Sequence, residues 1–253
     1  MARASTLKTF VVALLIALSC AGLVSVTAVG LVDRVQANKD RERLANMLLA
    51  AGVDVPDAVE FRIVELDTGE YVSSADIGTG TYDQREAASD PGLSDPIPAD
   101  DDLAEIGRRE RYAYVGLIRE GERLDRLILP VRGLGYGGMI HGIVVLDGDL
   151  TTVRNLYFTE HEETPGLGAE ITEPSFRARW PGKRIYDEDG EVRIEVVRGA
   201  VDPDSAEGQY QVEGISGATI TSESVTLLLQ YWFAASGFET YLERLRRERG
   251  DGG

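Results

Sequence analysis

Glu213-Gly214-Ile215-Ser216-Gly217-Ala218-Thr219-Ile220-Thr221 runs straight into Ser222 and an apolar series at Val225, Leu228, Leu229, Trp232 and Phe233. The i, i+3, i+4, i+7, i+8 spacing of that series predicts a helix with one apolar face. Ser222 is suited to be its N-cap. Ser216, Gly217, Ala218 and Thr219 are small, and Gly217 is free to adopt backbone angles closed to other residues. A bulky anion could approach such a backbone closely. A phosphate on Thr221 would then lie at a helix N-terminus, where free N–H groups and the positive end of the helix dipole favour negative charge.

Outward from this stretch the chain reads mainly as strands. Phe61 to Leu66 alternates as a strand does, and 73–103, rich in Ser, Gly, Pro and Asp, reads as a long irregular excursion. Residues 111–119 and 124–132 read as two strands joined by a turn at Glu120-Gly121-Glu122. Ile140 to Leu146 reads as a buried strand ending in an Asp147-Gly148 turn, and Val192 to Val197 as another strand. Strands first, with a helix beside the anion-favouring turn, predict an α+β domain with an antiparallel-rich sheet.

The N-terminal part is different in kind. Residues 10–32 form an uncharged, mostly apolar run, long enough to span a bilayer as a helix and longer than a signal-peptide core. The expected organisation is a short N-terminal tail at 1–9, a transmembrane helix at 10–32 and a folded domain at 33–253. Residues 33–50 are expected to continue as a polar helix, with Gly52 as its stop. Charge flanks both ends of the run, so the positive-inside rule leaves the orientation open.

The formal net charge of −17 argues against nucleic-acid binding, which needs a basic face. Cys20 is the single cysteine and lies within the apolar run, so an intrachain disulfide or a cysteine-ligated cluster is excluded for this chain by itself. Two histidines, His141 and His161, are too few and too far apart to suggest a metal site, and none is expected. The glycine-rich Gly133–Gly138 stretch is not placed between a first strand and a helix, so it is not a dinucleotide fingerprint. Direct NADH binding by this chain is not expected.

The nine-residue stretch resembles the flavin-attachment motif Asp-x-x-[Ser/Thr]-Gly-Ala-Thr-x-[Thr/Ser], with Glu213 where Asp is usual. His161-Glu162-Glu163-Thr164-Pro165-Gly166-Leu167-Gly168 is similar to the Glu-Thr-Pro-Gly-Leu-Gly loop of FMN-binding domains in respiratory flavoproteins. Arg132–Gly138, Trp180-Pro181-Gly182-Lys183 and Leu66–Val72 also resemble segments of that family, so the likeness covers nearly the whole chain. It is nearest to the NqrC family, found in the sodium-translocating NADH:quinone oxidoreductases. A flavoprotein of the Rnf ferredoxin:NAD complexes, RnfG, is a relative with both flavin motifs.

The resemblance implies FMN joined covalently through its phosphate to Thr221 by a flavin transferase. It implies Ser216, Gly217, Ala218 and Thr219 at the phosphate end and Glu163, Thr164, Leu167 and Gly168 at the ring end. It further implies a single-pass inner-membrane protein with its flavin domain on the periplasmic side. That protein would relay electrons between centres of a membrane complex, one of them in a second flavin subunit. The complex would oxidise NADH, reduce ubiquinone and export sodium. The rival readings are an Rnf-type electron carrier and a membrane-anchored module holding FMN without a covalent bond.

Overall fold

The computed structural model describes residues 10–21, 52, 59–78 and 82–250. The chain divides into two units, Met1–Asn46 and Met47–Gly253. In the first unit, residues 10–21 form helix α1, whose side chains are all exposed. Residues 22–32, the rest of the apolar run, and the helix expected at 33–50 lie outside the described residues. Among the described residues no helix is long and apolar enough to cross a membrane.

The second unit is built on a six-stranded sheet. Its strands are β1 (Glu60–Glu65), β2 (Tyr71–Val72), β5 (Tyr112–Glu120), β6 (Arg123–Leu134), β7 (Met139–Asp147) and β8 (Val153–Glu160). They lie in the order β2-β1-β5-β6-β7-β8, antiparallel at every pairing. The turn at Gly121 joins β5 to β6 as expected, with φ +64°. Alternation sorts the side chains between the faces. Leu127, Leu129 and Val131 of β6 face the main core, and Ile128 joins a smaller cluster with Ile118, Ile143 and Val145.

Two helices close the main core: α4 (Thr219–Phe233) and α5 (Glu239–Arg249). A short helix, α3 (Pro174–Arg177), adds Phe176 to it. Val225, Leu228, Leu229, Trp232 and Phe233 are all buried, as the spacing predicts. α4 lies against β6 at very close range, because a Cβ on Gly133 would fall 2.6 Å from the Leu228 side chain. The Trp232 indole N–H donates to the Arg132 carbonyl at 2.7 Å and fixes the same contact.

Several expectations are corrected. Ser222 is not the N-cap: α4 begins at Thr219, with Ala218 at the cap position. The Ser222 hydroxyl instead accepts the Ile215 N–H at 3.1 Å, tying the preceding loop to the helix. The 73–103 excursion contains α2 (Gln84–Ser89), capped by the Asp83 carboxylate. It also contains β3 (Ser94–Pro96), which pairs with β4 (Arg108–Glu110). Of Val192–Val197, only β9 (Glu195–Val197) is a strand, parallel to β10 (Gln211–Glu213); Val192 makes an isolated bridge to Tyr186. Strands β8 and β10 and helix α5 are absent from the sequence-based expectation.

Candidate functional site

Three stretches far apart in sequence meet at the start of α4. One is the glycine-rich turn that ends β6 and leads into β7. The second is the loop 161–168 after β8. The third is 214–221, between β10 and α4. Their meeting point is Glu163. It is 4% exposed although it is a carboxylate, and a buried charge needs partners. Its Oε1 accepts the Gly137 N–H at 2.9 Å, and its Oε2 accepts the Thr221 hydroxyl at 2.5 Å. Both oxygens act as acceptors, each toward a different segment of the chain.

Thr221 lies in the first turn of α4 and is 2% exposed. The first backbone bond of the helix runs from the Ser222 N–H to the Ala218 carbonyl at 3.0 Å. The N–H groups before it are the free donors of a helix start. Thr221 therefore sits inside the positive end of the helix rather than ahead of it.

The glycines around this pair are demanded by space. A side chain at Gly168 would strike the Glu163 carboxylate and the Thr221 hydroxyl, one at Gly135 the Glu163 carboxylate and Ile140, and one at Gly137 the Glu162 backbone. The loop 161–168 is held by its own bonds. The Thr164 carbonyl accepts from the Leu167 N–H at 3.1 Å and the Ala169 N–H at 3.2 Å. Gly166 takes a φ of +75°, open to glycine at little cost. At its base the Glu163 N–H donates to Nδ1 of His161 at 3.1 Å.

At the mouth, Leu167 is exposed and lies 3.2 Å from where a Gly217 Cβ would stand. Ser216 and Gly217 are exposed, Thr219 is half-buried, Ala218 is buried, and Ile220 is exposed. The hydroxyls of Thr164, Ser216 and Thr219 engage no protein partner among the described residues. The mouth thus offers apolar surface from Leu167 and Ile220 beside free hydroxyls. That combination suits a flat aromatic ligand with a polar edge and a phosphate.

Of the residues singled out from the sequence, the structure brings Glu163 and Gly168 to the Thr221 hydroxyl and Leu167 to Gly217. Two participants were missed. Gly137 supplies a hydrogen bond, although only its glycine-rich setting was visible in sequence. Arg179 donates to the carbonyls of Glu213 and Gly214 at 2.7 and 2.9 Å and braces the start of the motif; nothing in its local sequence marks it. Trp180 is fully buried and packs edge-on against Phe176, so it serves the core.

Beside the loop, on β7 and β8, Met139, His141, Tyr157, Glu160 and His161 line an open groove of about 600 Å³. Thr221 is not part of it. Burial, with the charges of Arg85 and Arg132 set against those of Glu160 and Glu110, lowers the His141 pKa to about 4. This imidazole is neutral at neutral pH. Among the described residues no group of His, Cys, Asp and Glu could hold a metal ion.

The FMN-binding domain family matches residues 135–234, which contain the whole Glu163–Thr221 site. The chain is 39% identical over 256 residues to the C component of the Na(+)-translocating NADH-quinone reductase of Pseudomonas aeruginosa, covering 96% of this chain and 97% of that one. It is 37% identical to the component of the same name from Vibrio vulnificus, covering 97% and 96%. Among solved structures, the NqrC of Shewanella oneidensis superposes with a TM-score of 0.76 at 30% identity, over 83% of this chain and 99% of that one. The equivalent Na(+)-translocating NADH-quinone reductase component from Parabacteroides distasonis superposes with a TM-score of 0.59 at 27% identity, over 82% and 94%.

Proposed function

Because the chain belongs to the NqrC family of the Na(+)-translocating NADH-quinone reductases, we propose that it is the electron-transfer subunit of such a complex, with FMN esterified through its phosphate to Thr221. The observation that carries this reading is the Thr221 hydroxyl, held by a buried carboxylate in the first turn of α4. When bound, FMN supplies reversible electron-accepting chemistry; the protein supplies position and electrostatics.

The residues present fit that group. Gly168 leaves the Glu163–Thr221 pair uncrowded, and Gly217, at a φ of +80°, places no side chain beside Leu167 at the mouth. The free N–H groups of the α4 start suit a phosphate. Leu167 and Ile220 give apolar contact, and the hydroxyls of Thr164, Ser216 and Thr219 are open to a polar partner. A covalent ester keeps the carrier from being lost at an open, water-facing mouth. The maturing enzyme is a flavin transferase, and Glu213, whose side chain is exposed, stands where that enzyme reads the motif.

The other subunits of the complex, among them a second flavin subunit, exchange electrons with this one as NADH is oxidised, ubiquinone reduced and sodium exported. The chain alone has none of these activities. Residues 10–32 anchor it in the inner membrane with the flavin domain on the periplasmic side. Apolar content and length support the anchor, and the likeness to the family supports the side.

Mass spectrometry of the full chain made together with a flavin transferase tests the reading. The expected result is a mass gain of FMN less one water, mapped to Thr221 and absent from Thr221→Ala. Flavin that is released by acid from both proteins would instead establish a non-covalent module.

A further inference from the structure

We infer that Glu163 is the proton acceptor for ester formation on Thr221; the inference rests on the attachment reading above and adds a catalytic group from the acceptor chain itself. A threonine hydroxyl is a weak nucleophile until a base within hydrogen-bond reach removes its proton. Glu163 meets that condition. Its Oε2 already accepts the Thr221 hydroxyl at 2.5 Å, and the Gly137 N–H on Oε1 fixes the carboxylate in that orientation. Thr221 and Glu163 are 2% and 4% exposed, so water does not compete for the proton. An amide at this position would offer one acceptor oxygen, so only a carboxylate accepts from both the Gly137 N–H and the hydroxyl proposed for modification.

The step balances as a phosphoryl transfer with no change of oxidation state. Thr221 Oγ1 attacks the phosphorus of a flavin phosphate activated as a phosphoric anhydride. The Oγ1–P bond forms and the anhydride P–O bond breaks. The leaving phosphate departs as an anion with the electron pair, and the Thr221 proton passes to Glu163 Oε2. The product phosphodiester carries one negative charge beside a now neutral Glu163, so the transfer avoids placing two anions in contact. The free N–H groups at the start of α4 are placed for the charge on phosphorus. Because Gly168 crowds the hydroxyl, Leu167 and Gly168 must move aside to admit the donor while the Gly137 N–H keeps Glu163 on Thr221.

The test measures the rate of FMN attachment to the full chain by purified flavin transferase, with flavin adenine dinucleotide as the anhydride donor. Wild type, Glu163→Gln and Glu163→Asp are compared. General-base removal predicts a loss of about 10²- to 10⁴-fold for Glu163→Gln, with partial recovery in Glu163→Asp. Melting curves establish whether Glu163→Gln is folded. If it is not, Glu163→Asp decides: a folded Glu163→Asp that attaches FMN more slowly than wild type supports the inference, and one that attaches it at the wild-type rate overturns it. Attachment to folded Glu163→Gln at the wild-type rate overturns the inference while the attachment reading stands. So does a folded Glu163→Asp as slow as a folded Glu163→Gln, which marks a packing role. An unmodified wild-type Thr221 overturns the attachment reading and the inference together.

Discussion

Gly168 shows how one missing Cβ shapes the site. Added there, a methyl group meets the Glu163 carboxylate on one side and the Thr221 hydroxyl on the other. Gly168→Ala is therefore expected to destabilise the domain by about 1–3 kcal/mol, the usual cost of overpacking. It should also lower FMN attachment by pushing the acceptor from its base. Urea titration and the mass assay check the two effects separately. His141 gives a second residue-scale prediction. Its folded pKa of about 4 lies below its ordinary value of 6.5. The unfolded state thus binds the proton first, and stability is present above pH 6.5 and lost as pH falls toward 4. The loss reaches at most about 3 kcal/mol at 1.36 kcal/mol per pKa unit. Unfolding free energies of wild type and His141→Asn at neutral pH and near pH 4.5 should differ by less at the acid end, because only wild type carries this imidazole.

At the scale of elements, α4 is the part that unites core and site. Its apolar face was legible from spacing alone, since a period of 3.6 places Val225, Leu228, Leu229, Trp232 and Phe233 on one side. Its start was not legible. Ser222 has the composition of an N-cap, but its hydroxyl is engaged by the Ile215 N–H of the preceding loop, and the helix extends back to Thr219. That backward extension moves Thr221 into the first turn and onto Glu163. Ser222→Ala should leave the buried Ile215 N–H without a partner and cost about 1–3 kcal/mol. The motif loop should loosen first, seen as faster amide exchange over 213–218 than over 225–233. The strands β5 and β6 were legible from a two-residue alternation broken by a glycine turn. β8 was not, because Arg154, Asn155 and Thr159 dilute its apolar positions. Its place in the sheet comes from pairing with β7.

For the whole molecule, the division of labour between anchor and domain can be tested directly. The full chain is expected to stay with membranes through alkaline carbonate washing. A chain beginning at residue 33 should be recovered in the soluble fraction and still accept FMN at Thr221. Soluble full-length chain would remove the anchor from the proposal and leave the flavin site intact. The sheet order matters here as well. With β6 and β7 adjacent and their connecting turn at one end of the sheet, the glycine-rich turn, the loop after β8 and the start of α4 are brought to the same end. The site is a product of that topology.

The amino-acid sequence by itself determined the kind of elements present, the apolar face of α4, the acidic composition and the single cysteine, and it carried the motif on which the proposal for Thr221 rests. These follow from local periodicity, composition and contiguous motif, which need no knowledge of distant neighbours. Tertiary structure alone decided that Glu163 serves Thr221, that Gly135, Gly137 and Gly168 are required by its carboxylate and loop, and that Arg179 braces the motif. Glu163 and Thr221 are 58 residues apart. Their contact is set by long-range strand pairing and helix packing, and no local property of either segment encodes a 2.5 Å approach.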